Sequence, residues 1–304
     1  MRWSRRGLLL PAPIGFDWAV SHAALPVAVP LGGNRIRLFF SARDDRGRSQ
    51  IGRAELDLGL PDAAPEISRE PVLGLGPLGA FDDSGLTASC VVEHDGRWHQ
   101  YYSGWQLGVT VPFSFFVGCA VSDDCVNFEK VSPAPILERN AVDPYLTASP
   151  WVIVEDGLWR MWYVSGTGWQ LEQGSPKHYY HLKYAESDDG INWRREGRVA
   201  IDYRDESEYA IARPCVIKDR DCYRMWFSSR GDRYRIGYAV SADGLAWERL
   251  DGQEGLDAAP GMWDSAMQAY PMVFDQAGRR IMLYNGNGYG KTGIGYAVAA
   301  PAQS

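Results

Sequence analysis

The sequence predicts an all-β fold, a five-bladed β-propeller with an N-terminal strand closing the last blade, and three observations predict it. An Ala-x-(Pro/Cys) motif followed by apolar residues recurs five times, as Ala24-Leu25-Pro26, Ala88-Ser89-Cys90, Ala148-Ser149-Pro150, Ala212-Arg213-Pro214 and Ala269-Tyr270-Pro271. The third positions of these copies are 64, 60, 64 and 57 residues apart. Three short β-rich runs return with each copy and a fourth with the second, third and fourth copies, and four strands at a period of about 60 residues is the pattern of propeller blades. The last copy lacks a fourth run, and the chain start supplies one: Met1-Arg-Trp-Ser-Arg-Arg-Gly7 aligns with Ile191-Asn-Trp-Arg-Arg-Glu-Gly197.

Each element follows from its residues. The motif opens the inner strand, and a turn such as Asp95-Gly96, Asp156-Gly157 or Gln276-Ala-Gly278 ends it. The second strand is the aromatic run Arg37–Phe40, His99–Tyr102, Arg160–Tyr163, Arg224–Phe227 or Ile281–Tyr284. A third follows, clearest as Leu182–Glu186, Ile236–Val240 and Ile294–Val298. The fourth is reached through the hairpins Ser122–Phe128, Ser187–Trp193 and Ser241–Trp247, whose Asp-Gly or Asp-Cys pairs sit between β-rich runs. Closing the final sheet with the N-terminal run removes edges that would invite aggregation. Trp3, Trp193 and Trp247 then share one outer position, and Trp162 and Trp226 another, which assigns these five to packing.

Composition bounds the rest. The chain has 304 residues and a net charge of −7 from 31 basic and 38 acidic side chains, with 45% hydrophobic residues. These values exclude disorder and fibrous repeats, and residues 1–304 are expected to form a single domain. The acidic balance argues against a nucleic-acid partner, which calls for a basic patch. Five cysteines without a Cys-x-x-Cys pair indicate neither a disulfide framework nor a zinc knuckle. No run approaches the roughly 18 apolar residues of a membrane span, and Leu8-Leu-Leu10 is too short for a signal core. A soluble, cytoplasmic protein without membrane partner is the expectation.

Alternating strand directions send the loops before each inner strand, and those between second and third strands, to one face. There lie Asp17, Phe81-Asp82-Asp83, Asp143-Pro144-Tyr145, Glu208-Tyr209 and Trp263-Asp264, with Trp105-Gln106, Trp169-Gln170, Arg230 and Asn287-Gly-Tyr289 from the second set. Carboxylates converging with aromatic and amide side chains suit a saccharide, whose apolar faces stack on rings and whose hydroxyls take amide and carboxylate partners. The binding set expected here is Asp17, His22, Trp105, Gln106, Trp169, Gln170, Arg213, Arg230, Asp264 and Asn287. Repetition leaves a second reading open, because Asp before Ser or Pro also serves as a turn residue and a shared structural task would repeat equally. Glu208 and Arg213, five residues apart, are expected to form a contact, structural or bracketing a ligand. His178-Tyr-Tyr-His181 places its rings on opposite faces of a strand, a poor metal pair. Neither a metal nor a cofactor is expected.

With five units, acids around one mouth and Ser-x-Asp-Gly-x-x-Trp hairpins, the chain resembles the five-bladed β-propeller glycoside hydrolase superfamily. That group includes family 43 arabinanase- and xylosidase-like enzymes, invertases, levansucrases and mannoside phosphorylases. The resemblance spans the chain in architecture and is closest over residues 148–299. It implies a glycosidase using paired carboxylates, one protonated and one ionised. The family 43 triad does not transfer position by position, since His22 stands on the first inner strand and the third unit lacks the expected Glu. The invertase Asn-Asp-Pro-Asn signature is also absent. Asp83 or Asp143 as base or nucleophile and Glu208 as acid are the expected catalytic residues. A phosphorylase or transglycosylase on the same scaffold, with Arg43, Arg213 and Arg230 available to phosphate, and a non-catalytic sugar-binding propeller are the alternatives. A sialidase is disfavoured by blade number and hairpin spacing.

Overall fold

The computed structural model describes residues 2–252, 256 and 261–299, so Met1 of the N-terminal motif lies outside the described residues. Among these, strands dominate. The first, β1 (Trp3–Pro11), pairs across the chain termini. The sheet β2 (Ser21–Pro30), β3 (Arg35–Arg43), β4 (Ser49–Asp57) and β5 (Glu66–Ile67) follows. A second four-stranded sheet contains β6 (Gly85–His94), β7 (Arg97–Leu107), β8 (Phe113–Ser122) and β9 (Glu129–Lys130). Next come β10 (Thr147–Glu155), β11 (Leu158–Glu172), β12 (Ser175–Ser187) and β13 (Val199–Ile201), then β14 (Ala210–Lys218), β15 (Tyr223–Arg230), β16 (Tyr234–Ser241) and β17 (Glu248–Arg249). Strand pairing links these two antiparallel groups at the parallel pair Tyr180↔Ala210, and side chains join them as well, as where the Trp151 indole donates to the Val216 carbonyl at 2.9 Å. The last sheet runs β18 (Ala269–Gln276), β19 (Arg279–Asn285), β20 (Gly293–Ala299) and then β1. Its register, Trp3↔Ala299 to Pro11↔Gly293, completes the sheet with the N-terminal strand.

The inner strands touch in the order β2, β6, β10, β14, β18 and back to β2. Each breaks register at its Ala-x-(Pro/Cys) motif. Leu25, Ser149, Arg213 and Tyr270 there take left-handed backbone, with φ of 51°, 45°, 54° and 59°. An extra residue of this kind bends a strand and frees a backbone amide. The second strand of the preceding group caps that amide. Ser41 Oγ accepts the Ala88 N–H at 3.0 Å, Ser103 Oγ that of Ser149 at 2.7 Å, and Ser228 Oγ that of Tyr270 at 2.8 Å. Asn285 of the last sheet accepts the Leu25 N–H of the first at 2.8 Å. Each bond contributes about 1 kcal/mol net.

The outer strands use aromatic edges for the same purpose. Phe128 meets Phe39, Trp193 meets Tyr101, Trp247 meets Trp162 and Trp3 meets Trp226, all edge-on with centroids 5.6–6.1 Å apart. The five tryptophans assigned to packing are indeed packed against the core. The hairpins repeat as well, with Ser122, Ser187 and Ser241 bonding Asp124, Asp189 and Asp243. All five cysteines are free, and Cys90 and Cys215 are fully buried.

Two elements differ from expectation. In the third group the fourth strand forms at Val199–Ile201, and the run around Trp193 makes only the bridge Glu186↔Arg194. The connection holding Trp169 and Gln170 is not a loop. β11 and β12 continue pairing to Glu172↔Ser175, putting both residues on a projecting hairpin. Trp105 and Gln106 likewise belong to β7.

Candidate active site

Before four of the inner strands, a loop places one carboxylate under the sheet, and the neighbouring second strand supplies a hydroxyl to it. The outer strand contributes a cation from an aromatic-x-(Lys/Arg) motif: Phe128-x-Lys130, Trp193-x-Arg195, Trp247-x-Arg249 and Trp3-x-Arg5. Lys130 Nζ lies 2.6 Å from Asp82, which Tyr102 also reaches at 3.3 Å. Asp143 accepts from Arg195 at 2.9 Å, Lys183 at 3.2 Å, Tyr163 at 2.9 Å and Ser165 at 2.7 Å. Arg249 grips Glu208 through two bonds of 2.7 and 3.0 Å, with Ser229 at 2.6 Å and the Arg204 N–H at 2.7 Å. Arg5 and Tyr284 hold Asp264 at 2.8 and 2.9 Å. These are locks between outer strand, loop and second strand.

The locks revise the expected acids. Asp143 and Asp264 have 0% exposure and Glu208 6%, and each faces a cation at hydrogen-bond distance. No oxygen of Asp143 is left to meet a substrate, so the base role expected of it fails on burial. Glu208 pairs with Arg249 rather than Arg213. Burial alone would raise its carboxyl, but the bonds from Arg249, Ser229 and the Arg204 amide outweigh burial and hold it below its ordinary value. A carboxyl held ionised is a poor general acid near neutrality. The second unit's lock uses Asp82; among the described residues Asp83 beside it has no cation partner and accepts the Gly79 N–H and the Ser84 hydroxyl, both at 2.9 Å. Asp17 is exposed, with no hydrogen bond or ion pair among the described residues.

Several expected ligand contacts are also committed elsewhere. Arg213 is fully buried and crosses between inner strands, donating to the carbonyls of Ala88 at 2.7 Å and Pro26 at 2.9 Å. It acts as a spoke, out of a ligand's reach. The Trp105 indole bonds Ser49 at 3.0 Å and Gln106 bonds the Gly79 carbonyl at 3.3 Å. Trp169 packs edge-on against Phe113 and His178, while Gln170 is exposed. Asn287 accepts the Ala266 and Met267 amides at 2.7 and 3.1 Å, tying two loops together. His178 stacks on Tyr180 and His181 contacts Asp202 at 3.1 Å, so the two histidines do not form a pair.

What converges at the mouth is aromatic and cationic. Arg230, at the end of β15, lies 5.2 Å from the ring centroids of Tyr209 and Tyr234 and 5.7 Å from that of Tyr289. The hydroxyls of Tyr180 and Tyr234 meet at 2.6 Å, and the Tyr270 ring lies 5.9 Å from that of Tyr234. Across β2 and β3, Ser21 pairs with Arg43, and His22 bonds Ser21 through Nδ1 at 3.0 Å. Burial, then the charges of Arg43 and Lys291, push the His22 imidazole down to about 4, so it is neutral at pH 7. Of this group the sequence singled out His22, Arg230 and Arg43. Tyr180, Tyr234 and Lys291 were hidden because nothing in their spacing marks them. The lock cations Lys130, Arg195, Arg249 and Arg5 were not singled out in the sequence, although the repeating aromatic-x-cation motif is a signal that could have found them. Beside the mouth, a cavity of about 660 Å³ is lined by Glu208, Ser229, Tyr234, Asp264, Met267 and Gln268. Among the described residues no three His, Cys, Asp or Glu side chains are grouped to hold a metal.

No protein-family profile matches the chain. Two proteins from Mycobacterium tuberculosis strains, each described only as an uncharacterised protein, are 43% identical to it over 299 residues, covering 98% of this chain and 99% of theirs. A 1,2-beta-oligomannan phosphorylase of a Thermoanaerobacter species is 29% identical over 133 residues, 41% of this chain and 44% of that one. Among solved structures, a thermostable family-43 glycoside hydrolase superposes with TM-score 0.66 at 16% identity, covering 97% of each chain. The Bombyx mori GH32 beta-fructofuranosidase BmSUC1 gives 0.67 at 15% identity over 98% of this chain and 62% of that one. The fold is that of the family 43 and family 32 propeller hydrolases.

Proposed function

Because the chain belongs to one family with the two Mycobacterium tuberculosis proteins, and shares the fold of propeller glycoside hydrolases, we propose that it is a carbohydrate-active enzyme working on a glycosidic bond. In this reading the chain is one five-bladed propeller, and the substrate sits at the mouth where the inner strands begin. The observation that carries the reading is the Arg230 cluster, in which Tyr209, Tyr234 and Tyr289 surround one guanidinium on the face that loops and strand ends share. Tyrosine rings offer a stacking surface and a hydroxyl to a sugar.

Cleavage needs two carboxyl groups. Asp83, expected as base or nucleophile, and Asp17, expected only to bind substrate, have no cation partner among the described residues, and they are the carboxylates we assign to the reaction. His22, neutral and able to accept a proton, is a third proton carrier at the mouth. Transfer to phosphate in place of water is a second reading, favoured by the partial similarity to the oligomannan phosphorylase. Product release followed by NMR from a panel of oligosaccharides and aryl glycosides, with and without phosphate, tests both. Loss of about 100-fold or more in Asp17→Asn or Asp83→Asn, the scale of general acid–base catalysis, is expected. Turnover unaffected by both substitutions refutes the assignment of these acids.

A further inference from the structure

The first inner strand departs from the other four in a way the scaffold does not require. Along their pairing with the second strand, β6, β10, β14 and β18 each break register once among the described residues. β2 breaks twice, between Ser21 and Ala24 and again between Ala24 and Val27. At the additional break His22 takes left-handed backbone, with φ of 63°, ahead of the left-handed Leu25 of the shared motif. A bulge re-aims a side chain, and strained backbone outside glycine persists only where the surroundings enforce it.

Asn285 enforces it here. In three other groups a serine hydroxyl caps the freed amide, a task that needs only an acceptor. At the corresponding place on β19 stands an amide side chain, fully buried. Its oxygen accepts the Leu25 N–H, and its nitrogen donates to the carbonyls of Ala23 and Gly293, all at 2.8 Å. Ala23 adjoins His22, so the added donor holds the strand at its second break. The turn bearing Tyr289 packs onto the same spot. A Cβ on Gly290 would stand 2.7 Å from that of Ala24 and 2.8 Å from the Ala23 carbonyl oxygen. Tyr289 in turn belongs to the aromatic group around Arg230. Bonded backbone thus fixes His22 beside the mouth. Ser21 holds the imidazole through Nδ1 at 3.0 Å, and Nε2 has no partner among the described residues.

We propose that His22 Nε2 is the mouth's contact for a hydroxyl of the saccharide, and that Asn285 is the residue that positions it. A hydroxyl both donates and accepts, so it suits either tautomer of the ring. Such a contact favours a sugar bearing that hydroxyl over its deoxy counterpart. The inference rests on the carbohydrate reading above and names a specificity-determining contact within it.

Two measurements on the full chain test it, the first without ligand. Asn285→Ser installs the residue the other groups use, so the Leu25 amide can keep its cap and folding is expected to survive. The ring nitrogens of His22, followed by NMR, should nevertheless change. In the native chain burial and the charges of Arg43 and Lys291 hold the ring at about 4, and its release should move the midpoint toward 6.5. An unchanged midpoint in folded Asn285→Ser overturns the positioning role. The second measurement adds the panel of oligosaccharides and aryl glycosides. The sugar that the native chain binds is expected to shift the Nε2 signal. Its Kd should rise about 3- to 10-fold in Asn285→Ser and in His22→Gly, the scale of one neutral hydrogen bond; glycine suits the left-handed backbone there. One monodeoxy derivative of that sugar should bind the native chain and His22→Gly alike. A silent Nε2, or equal affinity in the native chain and His22→Gly, overturns the contact, while glycoside turnover keeps the carbohydrate reading standing. No saccharide bound or turned over overturns that reading and the contact with it, and the ligand-free titration still decides whether Asn285 positions the ring.

Discussion

Asp143 and Glu208 show how one residue type carries two tasks. Both stand at positions where a catalytic acid was expected, and both are consumed by ion pairs whose partners come from the outer strand. Removing one member of a buried pair leaves the other charge unpaired, at a cost of about 3–5 kcal/mol. Asp143→Ala, stranding Arg195 and Lys183 together, is therefore expected to lower the melting temperature sharply. Calorimetry that finds it unchanged would show that the lock is not structural. The Glu208 carboxyl, held below its ordinary value near 4.5, stabilises the fold above that value. Its contribution is lost as pH falls through the lower folded value. Unfolding followed between pH 6 and 3 should show this acid loss in the native chain and a smaller one in Glu208→Gln. His22 has the same sign, with a folded value of about 4 against 6.5. An NMR titration should find its ring neutral at pH 6, and a midpoint near 6.5 would contradict the burial described.

At the scale of the strand, the terminal closure is the element most exposed to test. β1 covers the edge of β20, brings Trp3 onto Trp226 and carries Arg5 to Asp264. Deleting residues 1–11 removes all three and leaves an unpaired strand edge. The truncated chain is expected to aggregate or to unfold at lower temperature, as read by size-exclusion chromatography and calorimetry. A monomer with unaltered melting would contradict it. This closure was legible in the sequence because Trp3 and Arg5 repeat the spacing of Trp193-x-Arg195 and Trp247-x-Arg249. Strand identity was legible for the same reason, since each copy repeats the apolar and turn pattern of the others. The extended hairpin at Trp169 was not, because residues 165–172 contain Gly and Thr in a run that suits either a loop or a twisted strand end. The site was less legible than the fold. A repeating acid reads alike whether it locks a sheet or cleaves a bond, and the choice lies with a cation 40 to 259 residues away in sequence.

Over the whole molecule, repetition builds the scaffold and departure from repetition marks the site. Ser41, Ser103, Ser228 and Asn285 stitch successive inner strands. Val164 occupies the equivalent place in the third group, and the unstitched strand that follows carries Arg213. Spanning to Ala88 and Pro26, Arg213 ties three inner strands together. Arg213→Met would strand two buried carbonyls, each costing about 1–3 kcal/mol, and is expected to destabilise without affecting ligand contacts directly. The account as a whole separates locks from mouth, and one comparison tests that separation most directly. Glycoside turnover per folded molecule should be measured for Asp143→Asn beside Arg230→Gln and Tyr289→Ala, each with its melting temperature. The account predicts a lower melting temperature with turnover within about 3-fold of native for Asp143→Asn, and loss of turnover at native melting temperature for the two mouth variants. Turnover abolished in Asp143→Asn with native melting, and retained in both mouth variants, would contradict it.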